Sequence, residues 1–131
     1  MKTTLLALFV ALTIPSQIFP QWEWRNPRPH GNANNRIAFG GNANEYTIVG
    51  NAGIIMKTTN DGVDWSIQNS GTDINLKDIY ISGNEGIAVG NSGTILRTSD
   101  GGITWHLVNS GTTTHLTAVA FPTSNIGIIT G

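Results

Sequence analysis

At 131 residues the chain has room for one ordinary domain, and its formal charge of −1 gives no general attraction for nucleic acid or anionic lipid. Only 11% of the residues are charged and none is cysteine, which excludes disulfides, a cysteine-ligated zinc and a lipid anchor on cysteine. Abundant Gly, Asn, Thr and Ser point instead to a β-rich chain full of tight turns.

Residues 1–20 read as a secretory signal peptide. Lys2 gives a positive start, Leu5 to Ile14 is an almost unbroken apolar run, and Pro15 and Ser16 follow as breaker and small residue. The run is shorter than the roughly 20 residues that cross a bilayer, so no transmembrane segment is expected once the leader is removed. The competing assignment is a buried N-terminal element. An exported protein, destined for periplasm, cell surface or medium, is the expectation. Trp22 and Trp24 alternate within Gln21–Arg25 as on a strand, Pro27 and Pro29 end regular pairing, and residues 30–35 are a loop by composition.

A repeat then takes over. Gly50-Asn51-Ala52-Gly53 returns as Gly90-Asn91-Ser92-Gly93, and Asn69-Ser70-Gly71-Thr72 returns as Asn109-Ser110-Gly111-Thr112. Leu76 and Ile79 return as Leu116 and Val119, and Gly86–Gly90 aligns with Gly127–Gly131. Each unit holds four strand-like runs. In the second they are 76–81, 87–89, 94–98 and 105–109, separated by Gly- and Asn-rich turns. Four short strands in a unit of about 40 residues predict a blade of a β-propeller, with a parallel solenoid as the weaker alternative.

Three units are expected: 36–69, 76–109 and an incomplete 116–131, or about two and a half blades of an all-β propeller that closes with about four to eight. The chain therefore reads as the N-terminal part of a longer protein occupying 21–131. The alternative is a short chain that covers its open sheets by oligomerising. Trp24 stands where Trp65 and Trp105 stand in their units, so residues 21–25 are expected to be the last strand of a final blade, closing the ring.

The turn motif in each unit is an octet. Thr98-Ser99-Asp100-Gly101-Gly102-Ile103-Thr104-Trp105 fits Thr-x-Asp-x-Gly-x-Thr-Trp, the pattern of an Asp-box or BNR repeat. Thr58-Thr59-Asn60-Asp61-Gly62-Val63-Asp64-Trp65 is a weaker copy, with Asn60 for the Asp and Asp64 for the second Thr. Together with Gly93–Arg97, Ser110-Gly111-Thr112 and Leu116–Phe121, the chain resembles the photosystem II stability/assembly factor-like repeat family. That resemblance implies an Asp-box propeller, typically seven-bladed. It also implies structural roles in the turns for Thr58, Asn60, Gly62, Trp65, Thr98, Asp100, Gly102, Thr104 and Trp105. The opening Trp24 to Asn32, behind a leader, resembles secreted bacterial members of that family.

No catalytic set emerges. A sialidase needs an arginine triad, a Tyr–Glu nucleophile and an acid/base Asp. Of Arg25, Arg28, Arg36 and Arg97, the last matches Lys57 in the repeat and reads as a solvated strand position. A glycoside hydrolase needs two carboxylates across a cleft. Asp61, Asp64, Asp73, Asp78 and Glu85 all read as lying in or beside turns, and Asp100 is used by its own turn. His30, His106 and His115 have no metal-ligand spacing, and no cofactor or metal is expected. Trp65 and Trp105 recur with the repeat, which favours packing over sugar stacking. The expected role is non-catalytic binding or scaffolding of another macromolecule, a protein or glycan ligand. The alternative is a xyloglucanase- or sialidase-like hydrolase whose catalytic residues lie on further blades.

Overall fold

The computed structural model describes residues 31–40, 42–123 and 126–131. The expected leader, the 21–25 strand, Arg25, Arg28 and His30 lie outside the described residues.

Ten strands and no α-helix occur among the described residues. Strands β1 (Asn34–Phe39), β2 (Tyr46–Gly50), β3 (Ile55–Thr58) and β4 (Ser66–Gln68) form one antiparallel sheet in chain order. Strands β5 (Leu76–Ser82), β6 (Glu85–Gly90), β7 (Ile95–Thr98) and β8 (His106–Val108) form a second, and β9 (Ala118–Thr123) pairs with β10 (Ile126–Thr130). Among the described residues the chain is all-β, each four-stranded meander has the form of a propeller blade, and no sheet closes into a barrel.

Several strand limits differ from the sequence expectation by one or two residues, and two of the shifts have a clear physical reason. β6 starts at Glu85 because Glu85 pairs with Ser82 across a tight turn in which Gly83 has φ +58°. β9 starts at Ala118 rather than Leu116 because the Leu116 amide donates to Gly90 O of the second sheet at 2.9 Å.

The core lies between sheets. Ala38, Val49 and Ile55 of the first sheet pack with Leu76, Ile79, Ile81, Ala88, Leu96 and Trp105 of the second unit. A smaller cluster joins Val89 to Leu116 and Val119, with Tyr80 and Phe121 stacked at 4.7 Å beside it. The innermost strands are also tied by a buried acid. Asp78 accepts its own neighbour's Ile79 N–H at 2.9 Å and the Val119 N–H of β9 at 2.9 Å, and pairs with Arg36 Nε of β1 at 3.0 Å. Asp78 thus sits inside β5, beside a register shift, and not in a turn as its residue type suggested.

A second seam recurs at the short 3-10 turns 51–53 and 91–93. Their tips, Ala52 and Ser92, take φ of +54° and +53°. Each tip amide is satisfied by the residue just ahead of the following unit: Ala52 N–H by Asn75 Oδ1 at 2.9 Å, Ser92 N–H by His115 Nδ1 at 3.0 Å. Gly93 follows the tip at φ +70°, and a methyl group there would collide with Thr112 O, so the position requires glycine.

One polar atom in this packing is unsatisfied. Thr47 is fully buried and its hydroxyl has no hydrogen-bond partner. Thr47 pairs with Lys57 as Ile87 pairs with Arg97, so the second unit carries an apolar residue at the same place. Burying an unpaired hydroxyl costs about 1–3 kcal/mol. Thr47→Val should therefore stabilise the chain by about 1 kcal/mol, raising the melting temperature a few degrees, as followed by circular dichroism on heating.

Candidate functional site

The two octets form matching turns at the ends of β3 and β7. In the second, the Thr98 hydroxyl donates to Asp100 Oδ1 at 2.7 Å and accepts the Gly102 N–H at 2.9 Å. Asp100 Oδ1 also accepts the Ile103 and Thr104 amides at 3.0 and 2.9 Å, and Oδ2 accepts the Thr104 hydroxyl at 2.5 Å. Gly101 and Gly102 take φ of +71° and +90°, which bends the chain around the carboxylate. Trp105 then folds back, donating its Nε1–H to Gly102 O at 3.1 Å, and is buried. These bonds, first from the Thr104 side chain and then from its amide and the Thr98 hydroxyl, hold the Asp100 carboxyl well below the usual carboxylate range.

The first octet reaches the same shape with different chemistry. Thr58 Oγ1 donates to Asn60 Oδ1 at 3.0 Å and accepts the Gly62 amide at 3.0 Å, and Trp65 Nε1–H donates to Gly62 O at 3.1 Å. The Asn60 amide donates to Asp64 Oδ2 at 3.0 Å, where in the second octet a hydroxyl donates to the acid. Asp61 replaces the first glycine and holds φ +58°. Its amide donates to Asn44 O at 3.1 Å and its carboxylate accepts the Tyr46 hydroxyl at 2.7 Å, which pushes the Tyr46 pKa up.

A cleft of about 320 Å³ opens between the turns, lined among others by Asn42, Glu45, Thr59, Asn84, Asp100 and Ile103. Its floor is Lys57, only 6% exposed, whose ammonium donates to Glu45 Oε2 at 2.7 Å and to Gly101 O at 2.8 Å. That bond, with a second from Asn42, holds the Glu45 carboxyl below its ordinary range. Each octet also points an apolar side chain at its sixth position into solvent: Val63 is 62% exposed and Ile103 58%.

The family model described as Photosynthesis system II assembly factor YCF48 matches residues 21–117. The chain belongs to that family. No curated protein matches it.

In this member the nine octet residues singled out in the sequence fall into two separate turns. Of the other candidates, Arg36 pairs with Asp78, His106 is exposed, and His115 accepts the Ser92 amide. Asp61, Asp64, Asp78, Asp100, Glu45 and Glu85 each bond within the fold, and among the described residues no three His, Cys, Asp or Glu side chains gather to hold a metal. No helix among the described residues is long and apolar enough to cross a membrane. The sequence did not reveal the buried role of Lys57. The usable signal was the paired recurrence of Glu45 and Lys57 as Glu85 and Arg97.

Because the Asp100 pKa is depressed in the folded chain, its contribution is fully present above the unfolded value of about 3.9 and is lost as pH falls through the folded value. Urea melts from pH 5 down to pH 2 should show wild type losing stability on acidification. Asp100→Asn, which keeps an acceptor for the Thr98 hydroxyl, should be less stable at pH 5 and show a flatter decline. Asp100→Ala should be the least stable of the three at pH 5.

Proposed function

We propose that this YCF48-family chain is an exported, non-catalytic binding or scaffolding module that holds another protein through the face carrying its octet turns. The observation that carries the proposal is the exposure of Val63 and Ile103 at the same position of the two octets, Ile103 on the rim of a polar cleft. Exposed apolar side chains set beside satisfied polar groups match the composition of protein–protein contact surfaces. The family description, an assembly factor, agrees with a part that holds another protein. The six acidic side chains bonded within the fold are occupied structurally, which supports binding over hydrolysis for this segment.

The test uses the full chain immobilised and exposed to an extract of the source cells. A specific protein should be retained, and retention should fall at least about tenfold, or about 1.4 kcal/mol, for the double variant Val63→Ser, Ile103→Ser at unchanged melting temperature. Retention that ignores this variant would remove the octet face from the proposal. Turnover of plant or host glycans by the protein would replace binding with catalysis.

A further inference from the structure

The octet turns carry charge that the fold leaves uncompensated. Residues 58–65 and 98–105 hold three carboxylates, Asp61, Asp64 and Asp100, and no Lys or Arg. Outside the octets, Glu45 is met by Lys57 at 2.7 Å, Asp78 by Arg36 at 3.0 Å and Glu85 by Arg97 at 2.9 Å. The octet acids form no ion pair among the described residues. Neutral groups bond them instead: the Tyr46 hydroxyl for Asp61, the Asn60 amide for Asp64, hydroxyls and backbone amides for Asp100. Asp61 also stands where the second octet has Gly101, so its charge exceeds what the turn itself needs.

Acceptor capacity remains on these groups. A carboxylate can accept about four hydrogen bonds, two at each oxygen. Asp100 Oδ1 already takes three donors, but Oδ2 takes only the Thr104 hydroxyl. Asp61 and Asp64 are exposed and accept one side-chain donor each. Lys57, the cation lining the cleft, is 6% exposed and already engaged by Glu45 and Gly101 O. A docking molecule therefore meets negative charge and free acceptors in and around the cleft, with exposed Ile103 at its rim.

Resting on the reading of the octet face as a protein-contact face, we propose that its partner is basic at the contact. A lysine or arginine side chain of the partner enters the cleft, lays its aliphatic stem on Ile103 and donates to Asp100 Oδ2, while neighbouring cations face Asp61 and Asp64. Charge complementarity selects this occupant. An acidic peptide, a nucleic acid or an anionic membrane would set like charge against three carboxylates, whereas a basic side chain brings donors to the spare acceptors and an apolar stem to the rim.

The test titrates the isotope-labelled whole chain, followed by NMR, with a peptide of alternating arginine and leucine and with its glutamate–leucine counterpart. The arginine peptide should shift the Asn84, Gly101 and Ile103 amides, and the glutamate peptide should not. Raising salt from about 0.01 M to about 0.15 M shortens the screening length from about 30 Å to about 8 Å and should weaken binding at least about fivefold. The double variant Asp61→Asn, Asp64→Asn keeps a side-chain acceptor at each position, and asparagine tolerates the positive φ at 61. It should melt with wild type and bind the arginine peptide at least about threefold more weakly. Asp73→Asn, which removes a charge from the loop between β4 and β5, should bind as wild type does. No shift at millimolar arginine peptide, equal binding of the glutamate peptide, or an equal loss with Asp73→Asn would overturn the basic partner. The contact face and its occupant fail separately. A protein held from extract that is lost on Val63→Ser, Ile103→Ser, yet ignores both salt and the Asp→Asn pair, keeps the face and overturns the basic occupant. Retention that ignores all of these changes removes the face and this inference with it.

Discussion

A single threonine hydroxyl organises each octet, and the contact between sheets depends on it. Thr98 Oγ1 gives its proton to Asp100 and takes the Gly102 amide, so the turn closes around one oxygen. That closure aims two carbonyls. Gly102 O meets the indole of Trp105, which seals the apolar cluster between sheets, and Gly101 O meets the Lys57 ammonium of the preceding unit. A hydrogen bond is worth only about 1 kcal/mol net, but a buried donor left unmet costs more. Losing the hydroxyl would strand several groups at once. The positive φ of Gly101 and Gly102 is the backbone condition for this arrangement.

The two octets arrive at one shape from different atoms. In the second, charge sits on Asp100 and a hydroxyl neutralises its outer oxygen. In the first, the amide Asn60 occupies the centre and the charge sits on Asp64, which accepts from it. Asp61 takes a conformation that its neighbour in the second copy reaches with glycine, and ties to Tyr46 on the adjacent strand. The turn therefore needs an acceptor at the third position and a complementary partner at the seventh, and either residue can carry the charge.

What could be read in the sequence was what lies close together in the chain. The octet residues, the four-strand units and the Gly-rich turns all act over a few positions, so spacing exposes them. Lys57, Arg36 and Asp78 act across sheets. Lys57 reaches Gly101, 44 positions away, and Asp78 reaches Val119, 41 positions away. A charged residue within a strand pattern reads as solvated until its cross-sheet partner is known. Asp78 reads as a turn residue because its type favours turns, whereas here it fastens three neighbouring strands. Thr47 suits a strand by propensity, and only packing discloses its stranded hydroxyl.

The seam at the 3-10 turns has a consequence for how such a chain can be cut or lengthened. The tip at Ala52 is completed by Asn75 and the tip at Ser92 by His115, each at the threshold of the next unit. The segment that repeats and the segment that is self-sufficient are therefore out of phase. A cut placed at the tidy sequence boundary leaves an unmet amide on one piece and an idle acceptor on the other. Units can be gained or lost without penalty only as whole periods, with the break healed by an identical neighbour. A duplication in register inherits working seams at both ends, which gives arrays of this kind a simple physical route to growing one unit at a time.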